Sequence, residues 1–106
     1  SVLQGANPLP EALAAYEARL RLQPGEAAAH TDVAAVLLRL GRAAAALPHV
    51  EQAARLRPSD PTGYVNLGTT LAHLGRTTEA ITAFQVALRL QPELTEAREA
   101  LRRLSP

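Results

Sequence analysis

Apolar residues return at steps of three and four along two stretches of equal length. From Ala27 to Leu40 the larger ones are Val33, Val36, Leu37 and Leu40, and from Pro61 to Leu74 they are Tyr64, Leu67, Leu71 and Leu74. That period predicts amphipathic helices. A second helix follows each of these at once, with predicted inward stripes at Leu47, Val50 and Ala54 and at Ile81, Phe84 and Leu88; Leu13, Tyr16 and Leu20 form a third stripe of the same kind. Gly41 and Gly75 stop the first helices, because glycine accepts the left-handed conformation that closes a helix C-terminus, and Asn7 holds the equivalent place further upstream. Pro24, Pro58 and Pro92 end the second helices, since the residue before a proline is pushed out of the helical region. Loops this short make sequential helices antiparallel.

The stripes repeat. Three near-copies of one phrase, YEARLRLQP, VEQAARLRP and FQVALRLQP, close on those prolines at a spacing of 34 residues, and Leu40, Gly41 and Arg42 answer Leu74, Gly75 and Arg76 in register. A fixed period of this length is the mark of a tandem helical array. Ala12, Ala46 and Ala80 recur near the start of the second helices, and Ala34 and Gly68 sit inside the first ones, where helix axes approach closely only if the side chain is a methyl or less. Glycine inside a helix costs about 0.5–1 kcal/mol against alanine, so Gly68 signals a contact with no room for more. Pro48 breaks the pattern within the second helix of the middle copy, and a late helix start or a kink is expected there.

The stretch YVNLGTTLAHLGRTTEAITAFQVALRLQP, Tyr64 to Pro92, resembles the tetratricopeptide repeat. Tyr64, Leu67, Gly68, Leu71, Ala80, Phe84, Ala87 and Pro92 carry the likeness, and the middle copy keeps it more loosely in His30, Val33, Ala34, Leu37, Ala46, Val50, Ala53 and Pro58. The resemblance implies an all-α, right-handed α-solenoid of antiparallel helix pairs, with first helices lining a concave groove and second helices on the convex back. Residues 1–26 then form a partial repeat, mainly its second helix, residues 27–60 and 61–94 two full repeats, and residues 95–106 a capping helix. Arg98 and Arg102 stand where Tyr64 and Gly68 would recur, giving the last helix the polar outer face with which such arrays end. At the other end Leu13, Tyr16 and Leu20 lack most of a partner, which suggests partial exposure, cover by the segment from Val2 to Leu9, or self-association.

Composition narrows the function classes. The core must be built from Ala, Leu and Val, because 47% of the 106 residues are hydrophobic but only 3% aromatic. Eleven basic residues, all Arg, against ten acidic ones give a net charge of +1, which provides no general field for nucleic acid or a membrane surface. The recurring Arg21, Arg55 and Arg89 have Glu17 and Glu51 interspersed, and this reads as a solvated back. No apolar run reaches the ~18 residues of a membrane span. The start without Met, partway through a repeat, suggests a piece of something longer, and a cytoplasmic location is the default expectation. Cysteine is absent, Ser1, Ser59 and Ser105 lie at termini or a turn, and no phosphate loop follows a strand, so the chain is not expected to be an enzyme or to carry a cofactor. His30, His49 and His73 lack metal-ligand spacing along the sequence, and His30 takes the packing place of Tyr64.

Function therefore rests on the groove. Inner-helix residues not needed for packing are Ala28, Thr31, Asp32, Ala35, Leu38 and Arg39, then Thr62, Val65, Asn66, Thr69, Ala72 and His73, then Glu96, Glu99 and Arg103. A groove asparagine such as Asn66 offers a donor and an acceptor to a peptide backbone. In relatives that grip the C-terminal carboxylate of chaperone tails, basic and asparagine side chains do so from places that here hold Thr31, Ala35, Asn66, Glu96 and Ala100. Glu96 would repel a carboxylate. The expected partner is a protein or peptide segment, held by a non-catalytic scaffold; the alternatives are a substrate-presenting arm of a larger enzyme, such as a protein O-glycosyltransferase, and a self-association module. If the helix register is right, Phe84→Ala costs about 3–5 kcal/mol in chemical or thermal unfolding, whereas an unchanged melt would refute that register.

Overall fold

The computed structural model describes residues 9–22 and 25–105. Asn7, Pro24 and the segment before Leu9 lie outside the described residues. Six α-helices make up the rest, α1 (Leu9–Leu22), α2 (Ala27–Arg39), α3 (Ala43–Leu56), α4 (Pro61–His73), α5 (Thr77–Leu90) and α6 (Thr95–Leu104). Each packs mainly on the next, and α2 also touches α4. Contacts that seldom skip a neighbour give an elongated stack of 47 × 30 × 22 Å. The fold is an all-α helical repeat solenoid.

The turns inside the hairpins are built alike. Gly41 and Gly75 both take φ of +77°. After α2, the amide of Gly41 donates to Leu38 O at 3.0 Å and that of Arg42 to Leu37 O at 2.8 Å; after α4, Gly75 donates to Ala72 O at 3.0 Å and Arg76 to Leu71 O at 2.9 Å. These paired bonds satisfy carbonyls that a helix end would otherwise leave open. The following helix starts at once, with the carbonyls of Arg42 and Arg76 accepting from Ala46 and Ala80. At the head of α5, Arg76 grips Glu79 through two hydrogen bonds of 2.7 Å. The hairpin-to-hairpin joints differ: Asp60 caps α4 by accepting from the Thr62 amide at 2.9 Å, with Pro61 in the first turn, whereas Glu26 makes no such cap on α2 and pairs instead with Arg19 of α1.

Pro48 does not delay α3. The helix begins at Ala43, in register with Thr77 of α5, and both run for 14 residues. Pro48 lies early in the helix on its exposed side, so the bond it cannot donate would have gone to the exposed Ala44, whose carbonyl water can reach.

Two clusters form the core. Leu13, Val33, Ala34, Val36, Leu37, Ala46 and Val50 make the first, around α2. Val65, Leu71, Ala80, Ala83, Phe84, Ala87, Ala97 and Ala100 make the second, around α4 and α5. Leu47 and Leu67 pack against both and join them. Leu13 is buried and Tyr16 and Leu20 half-buried, so the α1 stripe is engaged within the chain itself. Thr70 is fully buried where the preceding copy has Val36, and its hydroxyl donates to Asn66 O at 2.8 Å within α4, which removes the penalty of an unpaired polar group.

The α4–α5 hairpin closes on one contact. A Cβ built on Gly68 would fall 2.8 Å from Cε2 and Cζ of Phe84, far inside van der Waals contact. In the preceding copy the same pair is Ala34 and Val50, both buried, so a methyl on one helix goes with a smaller side chain on the other. Gly68→Ala should therefore destabilise by about 1–3 kcal/mol despite alanine's better helix propensity. Adding Phe84→Val should make the Gly68→Ala step much less costly than it is beside the ring; a double-mutant cycle in urea reads the coupling, and strict additivity would refute the steric account.

Candidate binding groove

The residues expected to line a groove lie on α2, α4 and α6. Of the residues expected there, Ala35, Arg39, Thr62, His73, Glu96 and Glu99 are exposed, while Thr31, Asp32, Leu38, Asn66 and Thr69 are half-buried. Val65 departs from expectation. It is 5% exposed and belongs to the core cluster of α4, α5 and α6. Its counterparts one repeat away, Thr31 and Glu99, are polar and less covered, so the position lies at the edge of the packing face and an apolar side chain there turns inward. Leu38 leans the same way, packing against the core cluster around α2. The hydroxyls of Thr31 and Thr69 bond back to Ala27 O at 3.1 Å and Val65 O at 2.9 Å, which holds each side chain in one rotamer.

Five of the residues expected in the groove converge. Thr69, Ala72 and His73 of α4 and Glu96 and Arg103 of α6 line a cavity of about 250 Å³, together with Ala100, Leu104 and the ring of Phe84. Its walls are apolar, and Glu96, Arg103 and His73 place charges of both signs or polar groups around it. Thr31, Asp32, Ala35, Leu38, Arg39, Thr62, Asn66 and Glu99 lie outside this cavity. Phe84 was legible as a packing residue but not as lining, and Leu104 was not singled out; α4 and α6 do not quite close over the ring, and no one-dimensional pattern records that gap.

Other parts of the surface carry features that sequence reasoning missed. Two cavities of about 330 and 390 Å³ lie along α3, α4 and α5, sharing Glu51, Tyr64 and Leu67. They leave Tyr64 and Leu67 half-buried. One repeat earlier, His30 stands in place of Tyr64 and His49 in place of Ala83. Their Nδ1 atoms are 3.2 Å apart across the α2–α3 hairpin, with ring centroids 5.5 Å apart and planes at 37°. Burial holds His49 below the ordinary histidine range, reinforced by His30 and opposed by Glu17. The two histidines are equidistant from the Gly41 turn to within a few residues; that antiparallel pairing was the available signal. Among the described residues no group of three His, Cys, Asp or Glu side chains comes together, and no helix is long and apolar enough to cross a membrane.

A family model describing the tetratricopeptide repeat matches residues 2–61 and again residues 34–95. The chain belongs to the tetratricopeptide repeat family. No curated protein matches it. Among solved structures of tetratricopeptide repeat domains, the first such domain of Spaghetti (RPAP3), bound to the HSP90 peptide SRMEEVD, is 27% identical over 92% of this chain and 77% of that one, with a TM-score of 0.88. The Arabidopsis OM64 domain is 25% identical over 98% of this chain and 86% of its own, with a TM-score of 0.88. MamA from Desulfovibrio magneticus RS-1 is 26% identical with a TM-score of 0.87, and this chain spans 58% of it. Against the repeat pattern, Gly68 and Phe84 keep the tight first-to-second helix contact. His30 replaces the aromatic expected at the start of the middle repeat and meets His49 instead.

Proposed function

We propose that this chain is a protein-interaction module that holds an extended peptide along α2, α4 and α6 and seats one apolar side chain of the partner in the cavity over Phe84. The cavity carries the reading. It is apolar inside, has room for the largest side chains, and is lined by Thr69, His73, Glu96 and Arg103 of the inner helices. Asn66, half-buried one turn before the cavity, supplies amide donors and a carbonyl acceptor for a passing backbone. Glu96 and Arg103 at the rim favour a partner with charges of both signs flanking the apolar anchor. The related domain of Spaghetti binds an HSP90 peptide, which supports peptide binding as the use of this architecture.

The acidic sequence SRMEEVD fits this groove less well, because Glu96 stands where a carboxylate would need a cation. Titrating that peptide into labelled protein should produce weak amide shifts, whereas peptides with an apolar residue between a basic and an acidic one should shift Asn66, Thr69, His73, Glu96 and Arg103. Perturbations confined to α3 and α5 would overturn the proposal. Glu96→Lys should tighten SRMEEVD by about tenfold, the effect of roughly 1.4 kcal/mol from replacing a repulsion with an attraction at a partly screened site. An unchanged affinity would show that the peptide's carboxylates do not approach α6.

A further inference from the structure

The histidine pair lies outside the groove and serves no step of peptide binding. His30 comes from α2 and His49 from α3, both half-buried, and each interrupts the pattern of its repeat where the next copy holds Tyr64 and Ala83. Neither exchange is needed for the fold, since α4 and α5 pair without them. What the exchanges create is a pair of imidazole nitrogens facing each other at 3.2 Å.

We propose that His30 and His49 form a two-imidazole site for a late first-row divalent cation, such as Zn²⁺ or Ni²⁺, that staples α2 to α3. The spacing carries the argument. Two nitrogens at about 2.0–2.1 Å from one ion, subtending the roughly 90–110° of square-planar to tetrahedral coordination, lie about 2.9–3.4 Å apart. The observed separation falls within that span without any change in the helices. An Nδ1 to Nδ1 contact at this distance already presents one lone pair towards the other ring, and the 37° between the planes lets both lone pairs swing towards a common point beside the line joining them. His49 is held in its neutral, ligating form by burial, and Glu17 of α1 faces it with a charge that favours a dication.

The proton balance closes. In the neutral pair one Nδ1 carries a hydrogen; on binding, that hydrogen moves through water to Nε2 of the same ring, so both Nδ1 lone pairs go to the metal and both rings stay neutral with no net proton release. Water fills the remaining positions, which makes this an open and exchangeable site rather than a closed structural one. Nitrogen ligands exclude Mg²⁺, which takes oxygen donors.

Differential scanning fluorimetry of tag-free protein with zinc or nickel chloride tests the site. The melting temperature of the intact chain should rise by several degrees as the metal passes from micromolar to about 1 mM, growing with the logarithm of its concentration, and magnesium should leave it unchanged. His49→Ala and His30→Tyr install the residues that the next copy holds; each should weaken the metal effect at least tenfold, while His73→Ala should preserve it. In the unsubstituted protein, zinc should move the ring ¹⁵N signals of both His30 and His49 at Nδ1 together, a readout independent of how the variants fold. A metal effect that survives His49→Ala, one lost with His73→Ala, or zinc leaving both ring signals in place would overturn the site.

Discussion

The ring of Phe84 lying on the bare backbone of Gly68 sets the geometry of the C-terminal half of the molecule. Because no Cβ fits between them, α4 and α5 approach until an aromatic face meets a helix backbone. That approach brings the small residues Ala80, Ala83 and Ala87 into full contact and lets a chain poor in aromatics bury a continuous core. The same ring reaches past the hairpin to floor the cavity that α4 and α6 enclose. If the proposed peptide binding holds, stability and recognition meet in one side chain, and the partner's anchor would press against a surface already made rigid by packing.

Much of the architecture was legible because repetition multiplies weak signals. A single glycine after a helical pattern is modest evidence; Gly41 and Gly75 in matching places, each followed by an arginine and a new helix, define two identical turns. Gly68 could be read as a close contact because an interior glycine makes no sense otherwise. Local conflicts were harder. Pro48 promised a disturbed helix start, yet it sits on the solvent side of α3, where the only loss is a bond that water replaces.

Where each inner-helix residue sits was legible only in part. Inner-helix positions follow from periodicity, but whether a residue at the edge of a stripe faces a neighbour or a ligand depends on its chemistry. Val65 turns into the core where Thr31 and Glu99 do not. Thr70 is the converse: a polar residue at a buried place, satisfied by its own helix at 2.8 Å and therefore invisible as a problem. The meeting of His30 and His49 needs the antiparallel register of two helices, which a search for ligands one turn apart does not consult.

Among the described residues, Leu47 and Leu67 pack against both half-cores. The joint is itself closely packed: Ala53 and Ala54 of α3 are buried, and a Cβ built on Gly63 of α4 would lie 3.3 Å from the Cα of Ala54. The distance of one block from the next is therefore set where Gly63 carries no side chain, and any larger residue there would push the helix pairs apart.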